Sequence, residues 1–223
     1  MSYLAFIPAR SGSKRIKNKN IKIVKKKPLI YFTIKAAKKS KYIKDIFIST
    51  DSIKIKKISE KYNCTIDNLR PSFLSGDKVS MHQLLKKTLI IEKERFNKFK
   101  YLILLQPTSP LRTFNDIDMA CQKFEKYKNK VDCLVSTFRT KKIVNLKKTM
   151  IGDKNFISRL KKDKKHKVSS QLFQRNGPAI LILKIKNIKK FLLDRKICNF
   201  EMSKKKSIDI NFKKDLQDLR KII

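Results

Sequence analysis

Short apolar runs alternate with longer stretches of helical spacing along this chain, and this alternation restricts the possible folds more than any other feature. Each run is too short for a helix and is bounded by Pro, Ser, Asp or Gly, which is typical of buried strands. The predicted strands are residues 3–7, 46–49, 101–105, 133–135, 179–183 and 208–210. The alternation predicts an α/β layered sheet, with functional residues at the carboxyl ends of the strands.

Residues that favour helix starts precede the helical stretches. Pro28 stands at a first helical position, and Ser80 can cap the helix that follows it. Asn115 can cap a later helix, and either Asp51 or Ser52 can cap the helix after the second strand. For Asp51 we favour this capping role over a functional one.

The chain of 223 residues carries 57 Lys+Arg against 18 Asp+Glu, a formal net charge of +39. Such a charge is typical of nucleic-acid-binding proteins, which remain an alternative. However, the lysines are spread along the whole chain and only 10 residues are Arg, which favours compositional bias. We therefore expect no specific nucleic-acid partner.

Cysteines, histidines and long apolar segments give no sign of secretion or of membrane insertion. The four cysteines and two histidines are scattered, which indicates neither disulfides nor a zinc site. No run approaches the ~18 apolar residues of a membrane-spanning helix, and the apolar residues of the amino terminus precede its charges. We expect a cytoplasmic protein without a membrane partner.

Residues 140–172 depart from the alternating pattern, since they are rich in Lys and show no sustained period. They are either a long solvated insertion or a protruding arm that makes an oligomer contact and closes over a substrate. The segment has a few apolar residues with no evident core to join: Ile143, Val144, Leu146 and Ile151. We treat residues 1–223 as a single domain that includes this arm.

The first strand leads into a loop, residues 8–20, that contains Gly12, two serines and five basic residues. Backbone N–H groups and cations in such a loop can bind phosphate oxygens. The loop matches neither G-x-G-x-x-G nor the Walker pattern. Because bases far outnumber acids in the chain, we expect Arg10 to lack a carboxylate partner and to bind phosphate.

Six segments, taken in order, resemble those of one enzyme family. They are IPARSGSKRIKNKNI at the start, ISTDS at 48–52, RPSFLSGD at 70–77, LLQPTSPLRTFNDI at 104–117, FQRNGPAILI at 173–182 and SIDI at 207–210. In this order they resemble the acylneuraminate cytidylyltransferases, which activate nine-carbon acidic sugars, and their legionaminate and pseudaminate relatives. The resemblance extends from residue 4 to about residue 219.

This resemblance implies a fold, an assembly and a reaction. The implied fold is the three-layer, Rossmann-like nucleotide-diphospho-sugar transferase fold, with a mainly parallel mixed sheet and a dimerisation arm. The implied assembly is a homodimer. The implied reaction is Mg²⁺-dependent attack of the sugar's anomeric hydroxyl on the α-phosphate of CTP, which gives a CMP-sugar and pyrophosphate.

The resemblance also implies roles for individual residues. Arg10, Lys19 and Asp209 match catalytic positions. The nucleotide-contacting positions are matched by Arg10, Lys14, Lys19, Asn20, Arg70 and Ser80. Gln106 matches a position that faces the sugar, and Arg175 is suited to clamp the sugar carboxylate because a guanidinium binds carboxylates through two hydrogen bonds.

The chain departs from the family pattern at the carboxyl-terminal element. The family reads S-I-D-I-D there, with two acids that bind the magnesium, whereas this chain has Asp209 and Asn211. Asn211 offers a neutral carbonyl oxygen, so we expect both residues at the metal and a weaker affinity for Mg²⁺.

Two questions stay open besides the alternative of a nucleic-acid-binding protein. The sequence does not identify which nine-carbon acidic sugar is the substrate. A 3-deoxy-manno-octulosonate cytidylyltransferase is also possible, although SKRIKNKNI stands where that family has a Thr-Arg-Leu-Pro-like run.

Overall fold

A computed structural model describes residues 2–13, 15–143, 148–160, 171–177, 179–188 and 196–223. The strands are β1 (Tyr3–Pro8), β2 (Ile23–Val24), β3 (Lys27–Pro28), β4 (Ile43–Ser49), β5 (Tyr101–Leu104), β6 (Cys133–Arg139), β7 (Thr149–Gly152), β8 (Phe156–Arg159), β9 (Gln171–Arg175), β10 (Leu181–Lys184) and β11 (Ile197–Glu201). The helices are α1 (Leu29–Lys39), α2 (Ile53–Glu60), α3 (Met81–Ile91), α4 (Lys93–Asn97), α5 (Phe114–Tyr127) and α6 (Lys213–Ile222).

Strand β1 belongs to the sheet that forms the middle layer of a three-layer structure. Tyr3, Ala5 and Ile7 belong to one buried cluster, and Leu4 and Phe6 belong to another. The first cluster includes residues of α1, α2 and α5, and the second includes residues of α3 and α4. Because successive side chains of a strand point to opposite faces, β1 is covered by helices on both sides and reads as a continuous apolar run.

The main sheet has the order β11-β8-β7-β9-β6-β10-β5-β1-β4. Strand β1 pairs in parallel with β4 and β5, and β11 pairs in parallel with β6. Strand β10 runs antiparallel between β5 and β6. The expected α/β fold with a mixed sheet is confirmed. The expectation that the sheet is mainly parallel is wrong, because six of its nine strand pairings among the described residues are antiparallel.

The prediction of a strand at 208–210 is wrong. These residues follow a short 3-10 turn at Lys205–Ser207 and have no strand partner among the described residues. The Ile210 N–H instead donates to the carbonyl of Thr108 at 2.8 Å. The apolar pattern there arises because Ile210 is fully buried beside α6.

The helix starts agree with the sequence in part. Ser80 caps α3, and the α2 cap is Ser52, whose hydroxyl accepts from the Ile55 N–H. The α5 cap is Thr113 rather than Asn115, because Thr113 and Asp116 form a reciprocal capping box.

The described part of residues 140–172 is attached to the main sheet, and the dimerisation role of the expected arm stays a prediction. Strands β7, β8 and β9 join the main sheet, and the pairings β6–β9–β7–β8–β11–β6 close a ring of five strands. Met150 and Phe173 are fully buried inside the second cluster, and Ile151 is also buried. Ile143 is exposed, whereas Val144 and Leu146 lie outside the described residues.

Among the described residues, no helix is both long and apolar enough to cross a membrane.

The ring of five strands has a buried aromatic side chain, Phe173, whose loss should strongly reduce stability. Phe173→Ala removes this fully buried side chain and should cost about 3–5 kcal/mol of unfolding free energy. Ile143→Ala changes a side chain that is 54% exposed and should cost about 0.5 kcal/mol or less. Urea denaturation of both variants measures this, and equal small losses would contradict a buried ring.

Candidate active site

A cavity of about 420 Å³ lies where β1 and β5 end at the carboxyl edge of the sheet. Six residues that the sequence predicts as site residues line it: Arg10, Lys19, Asn20, Arg70, Gln106 and Asn211. Ser80, Arg175 and Asp209 do not line it, and Lys14 lies outside the described residues. Although the predicted site residues come from five separate segments of the chain, the fold brings six of them to one cavity.

The loop after β1 is held at its backbone by two side chains. The Asn20 amide donates to the Arg10 carbonyl at 3.0 Å. The Asp51 carboxylate accepts from the N–H and the hydroxyl of Ser11, at 2.7 and 2.8 Å. Asp51 is therefore a brace of this loop, and our preference for it as a helix cap is wrong because Ser52 takes the cap.

Arg10 has a carboxylate partner, contrary to the expectation from the charge balance. Its guanidinium forms an ion pair with Asp77 at 2.7 Å and donates to the Ser75 carbonyl at 3.3 Å. Both charged side chains are partly exposed, at 35% and 39%. Asp77 comes from the RPSFLSGD segment, which the fold places against the loop although 67 positions separate the two residues.

Lys19 links the same loop to the carboxyl-terminal segment. Its ammonium donates to the Ile210 carbonyl at 2.7 Å. Burial lowers the pKa of Lys19, and the nearby Asp209 carboxylate opposes that shift. The positive charges of Arg15 and Arg10 also act on Lys19, so these groups lie within electrostatic range of one another.

Arg70 and Ser80 have structural contacts as well as their predicted roles. The Arg70 guanidinium donates to the hydroxyl of Ser49 at 2.9 Å and to its carbonyl. Burial lowers the pKa of Arg70 to about 10. The Ser80 hydroxyl accepts from the Gln83 N–H at 3.2 Å as the cap of α3, at the side of the cavity.

Gln106 is positioned by a buried residue that sequence reasoning did not single out. The Arg112 guanidinium donates to the Gln106 carbonyl at 3.3 Å, to the Ala179 carbonyl at 2.9 Å and to the Thr33 hydroxyl at 2.8 Å. Arg112 is 2% exposed, and burial lowers its pKa to about 9. Its place in LLQPTSPLR was the available signal.

Asp209 and Asn211 lie in contact beside the cavity. The Asn211 side-chain amide donates to a carboxylate oxygen of Asp209 at 2.9 Å. Gly177 packs against the same carboxylate, since a Cβ at this position would lie 3.3 Å from its carbon, and its φ is +87°. Lys148, at the start of β7, places its ammonium 3.9 Å from Asp209.

Asn176 fixes this arrangement from the neighbouring strand end. Its amide oxygen accepts from the Ser136 hydroxyl at 2.7 Å and its nitrogen donates to the Ser207 hydroxyl at 3.0 Å. Arg175 stands one residue earlier, and burial together with the charge of Arg159 lowers its pKa.

Arg15 is a further cation of the cavity that sequence reasoning left without a role. It lines the cavity, and its guanidinium lies 4.7 Å from the centre of the Phe212 ring. The available signal was its place in the basic loop after β1. With Arg10, Lys19 and Arg70 it makes the cavity strongly cationic.

Comparisons with known proteins agree with this geometry. A family model described as "Cytidylyltransferase" matches residues 4–222. This chain belongs to the cytidylyltransferase family. A solved CMP:2-keto-3-deoxy-manno-octonic acid synthetase complexed with CTP shares the fold of this cytidylyltransferase, with a TM-score of 0.75 at 13% identity over 100% of this chain and 98% of that one.

Two curated relatives of this cytidylyltransferase carry sugar-specific names. An N-acylneuraminate cytidylyltransferase of Escherichia coli O18:K1:H7 is 37% identical over 62% of this chain and 32% of its own. A CMP-N,N'-diacetyllegionaminic acid synthase of Legionella pneumophila is 38% identical over 50% of this chain and 48% of its own. The matched part thus spans less than half of either relative.

The described part of this cytidylyltransferase contains no group of three or more His, Cys, Asp or Glu side chains that could hold a metal ion. Mg²⁺ can be bound by one or two protein carboxylates together with other oxygen donors. Phosphate oxygens of a bound nucleotide are the oxygen donors that Mg²⁺ commonly takes in this situation.

Proposed function

We propose that this chain transfers CMP from CTP to the anomeric hydroxyl of an acidic nine-carbon sugar and releases pyrophosphate. The observation that carries the proposal is the convergence of Arg10, Arg15, Lys19 and Arg70 on one cavity next to Asp209. The printed names of the relatives, an N-acylneuraminate cytidylyltransferase and a legionaminic acid synthase, support the class of sugar.

The charge of the cavity suits a triphosphate. In-line displacement at the α-phosphate adds charge to the leaving pyrophosphate, and fixed cations stabilise that charge. Arg10 and Lys19 hold the phosphates in this proposal, while Asn20 and Arg70 contact the nucleotide. Ser80 and Lys14 remain predicted nucleotide contacts, and Lys14 lies outside the described residues.

The donor set at the carboxyl-terminal segment fits Mg²⁺ bound through one carboxylate. Asp209 supplies that carboxylate. The Asn211 side chain bonds to Asp209 through its nitrogen, so its carbonyl oxygen is the atom proposed to bind the ion. Cytidylyltransferases of this kind generally use a divalent metal. When bound, the ion neutralises phosphate charge, and Asp209 and Asn211 are the residues that hold it.

The sugar is assigned to the side of the cavity that Gln106 faces. The Gln106 backbone is fixed by Arg112, so its side chain projects from a rigid loop. Arg175, on the strand next to the Asp209 segment, is the proposed clamp for the sugar carboxylate. Sialic, legionaminic and pseudaminic acids all carry this carboxylate, so the clamp does not distinguish them.

The homodimer remains a prediction from the family resemblance, and the cytoplasmic location remains a prediction from the sequence pattern. The described part of residues 140–172 packs largely into the chain's own sheet, so any dimer contact there involves its outer surface, where Ile143 is exposed.

Pyrophosphate release tests the proposed reaction. With CTP, Mg²⁺ and each of sialic, legionaminic, pseudaminic and 3-deoxy-manno-octulosonic acid, we expect release with at least one nine-carbon sugar. Release with the eight-carbon acid alone would identify the other cytidylyltransferase class. No release with any sugar, together with tight salt-resistant DNA binding, would refute the proposal.

Loss of either predicted phosphate cation should lower turnover. Arg10→Ala and Lys19→Ala should each reduce kcat/KM by about 10²-fold, because each removes a charge-assisted contact to the phosphates. Lys22→Ala, an exposed lysine three positions beyond Lys19, is the matched control and should change little. Near-normal kinetics in both cavity variants would show that the loop does not bind phosphate.

The Asn211 substitution should appear in the Mg²⁺ requirement. Asn211→Asp supplies a second carboxylate and should lower the Mg²⁺ midpoint of the initial rate at saturating CTP by about 10-fold or less, whereas Asp209→Ala should abolish nearly all activity. Calorimetric titration of Mg²⁺ into the CTP complex gives the same comparison without turnover. An unchanged midpoint in Asn211→Asp would show that residue 211 is not a ligand.

A further inference from the structure

Asp77 has the opposite charge to the other charged side chains that line the main cavity. Among the described residues around this cavity it is the one acid, and four cations surround the same space. A carboxylate at a site for a triphosphate repels the ligand, so its presence needs a reason. The inference that follows rests on the proposed function, because it concerns how that site handles phosphate.

The Arg10–Asp77 pair lies between two cavities. Arg10, Ser13, Gly76 and Asp77 line both the main cavity and a second one of about 480 Å³. Lys17 adds a cation to the second cavity. An anion in either cavity therefore faces a lining that includes both the Arg10 guanidinium and the Asp77 carboxylate.

The backbone on each side of the pair has hydrogen bonds of its own, besides the one that the Arg10 guanidinium donates to the Ser75 carbonyl. The backbone of the Arg10 loop is fixed by Asn20 and by Asp51, through the Arg10 carbonyl and Ser11. The opposite segment is held by its own turns, with the N–H groups of Leu74, Ser75 and Val79 bonded to the carbonyls of Pro71, Ser72 and Gly76. The ion pair and the Ser75 carbonyl together fix the direction of the Arg10 guanidinium.

A phosphate group is a stronger partner for that guanidinium than a carboxylate. Phosphate carries more negative charge than a carboxylate and, like a carboxylate, can accept two parallel hydrogen bonds from the guanidinium. The pair is also partly exposed, at 35% and 39%, so water reaches it and the exchange of one anion for another is not blocked. Partly exposed ion pairs of this kind are weak and easily replaced.

We propose that Asp77 is a positioning residue that acts as a latch on Arg10. In the free protein it holds the guanidinium at the boundary of the two cavities. The terminal phosphates of the nucleotide displace the carboxylate when they bind, and the carboxylate returns to Arg10 as pyrophosphate leaves. Asp77 thereby limits the affinity for pyrophosphate and speeds its release.

The test is calorimetric binding of inorganic pyrophosphate, CTP and CMP to the full chain, without sugar and with and without Mg²⁺. Asp77→Asn should bind pyrophosphate and CTP about 5- to 10-fold more tightly, because the competing carboxylate is gone. CMP, which lacks the terminal phosphates, should bind with unchanged affinity. In stopped-flow measurements pyrophosphate should dissociate more slowly by a similar factor.

Asp67→Asn is the matched control. Asp67 is 66% exposed and pairs with Arg95 at 3.5 Å away from the cavity, so this variant loses the same charge without touching Arg10. It should leave all three affinities unchanged. Thermal unfolding of both variants checks that each is folded, and Asp77→Ser serves as a second variant that also removes the carboxylate.

The possible outcomes separate the latch from the proposed function. Unchanged or weaker pyrophosphate binding in Asp77→Asn and Asp77→Ser overturns the latch but leaves the function standing, since weaker binding would show Asp77 to be a brace. Weaker CTP binding only with Mg²⁺ present would make Asp77 a metal ligand and also overturns it. If the unaltered protein binds neither CTP nor pyrophosphate, the proposed function and the latch both fail.

Discussion

The buried guanidinium of Arg112 holds the centre of this structure in place. It bonds three elements at once, through the carbonyls of Gln106 and Ala179 and the hydroxyl of Thr33 on α1. A fully buried cation loses its hydration, which is costly unless fixed dipoles replace the water. The loop after β5 is therefore bound to α1 and to the chain before β10, and Gln106 has a fixed position at the edge of the sheet.

A second constraint joins β6 to the segment that carries Asp209. Asn176 bonds Ser136 on β6 and Ser207 before Asp209, and Gly177 then lies against the Asp209 carboxylate. The positive φ of Gly177 and the 3.3 Å approach both exclude a larger residue there. The ring of strands next to Asn176 thus helps to determine where Asp209 lies, so β7, β8 and β9 matter to the site through the fold of the sheet.

Sequence patterns predicted what depends on local periodicity and missed what depends on distant partners. Strand β1 is apolar throughout because helices cover both of its faces, and such a run is recognisable without a structure. Strands β7 and β8 have four residues each and stand in a Lys-rich segment, so their alternation is too short to stand out. The T-x-x-D spacing of Thr113 and Asp116 did mark the α5 cap and was overlooked in favour of Asn115.

The site residues followed the same rule. Motif matching found six residues that the fold brings to the cavity. Arg10 and Gln106 lie close behind the ends of β1 and β5, whereas Arg70 and Asn211 do not directly follow a strand. It did not find the partner of Arg10, since no local pattern relates Asp77 to a loop 67 positions earlier. The inference from overall charge balance failed for the same reason, because a pairing is decided by local geometry and not by how many acids the chain contains.

The choice of cation inside the cavity separates function from composition. The chain has 10 arginines and 47 lysines, yet three of the four cations that line the main cavity within the described residues are Arg10, Arg15 and Arg70. A bias that enriches lysine everywhere would fill a cavity of no importance with lysine as well. Arginine persists where a planar guanidinium with several donors is needed, as in binding phosphate and carbonyl groups. Arg10, Arg15 and Arg70, together with Lys19, are therefore the basic residues whose chemistry the proposed site depends on.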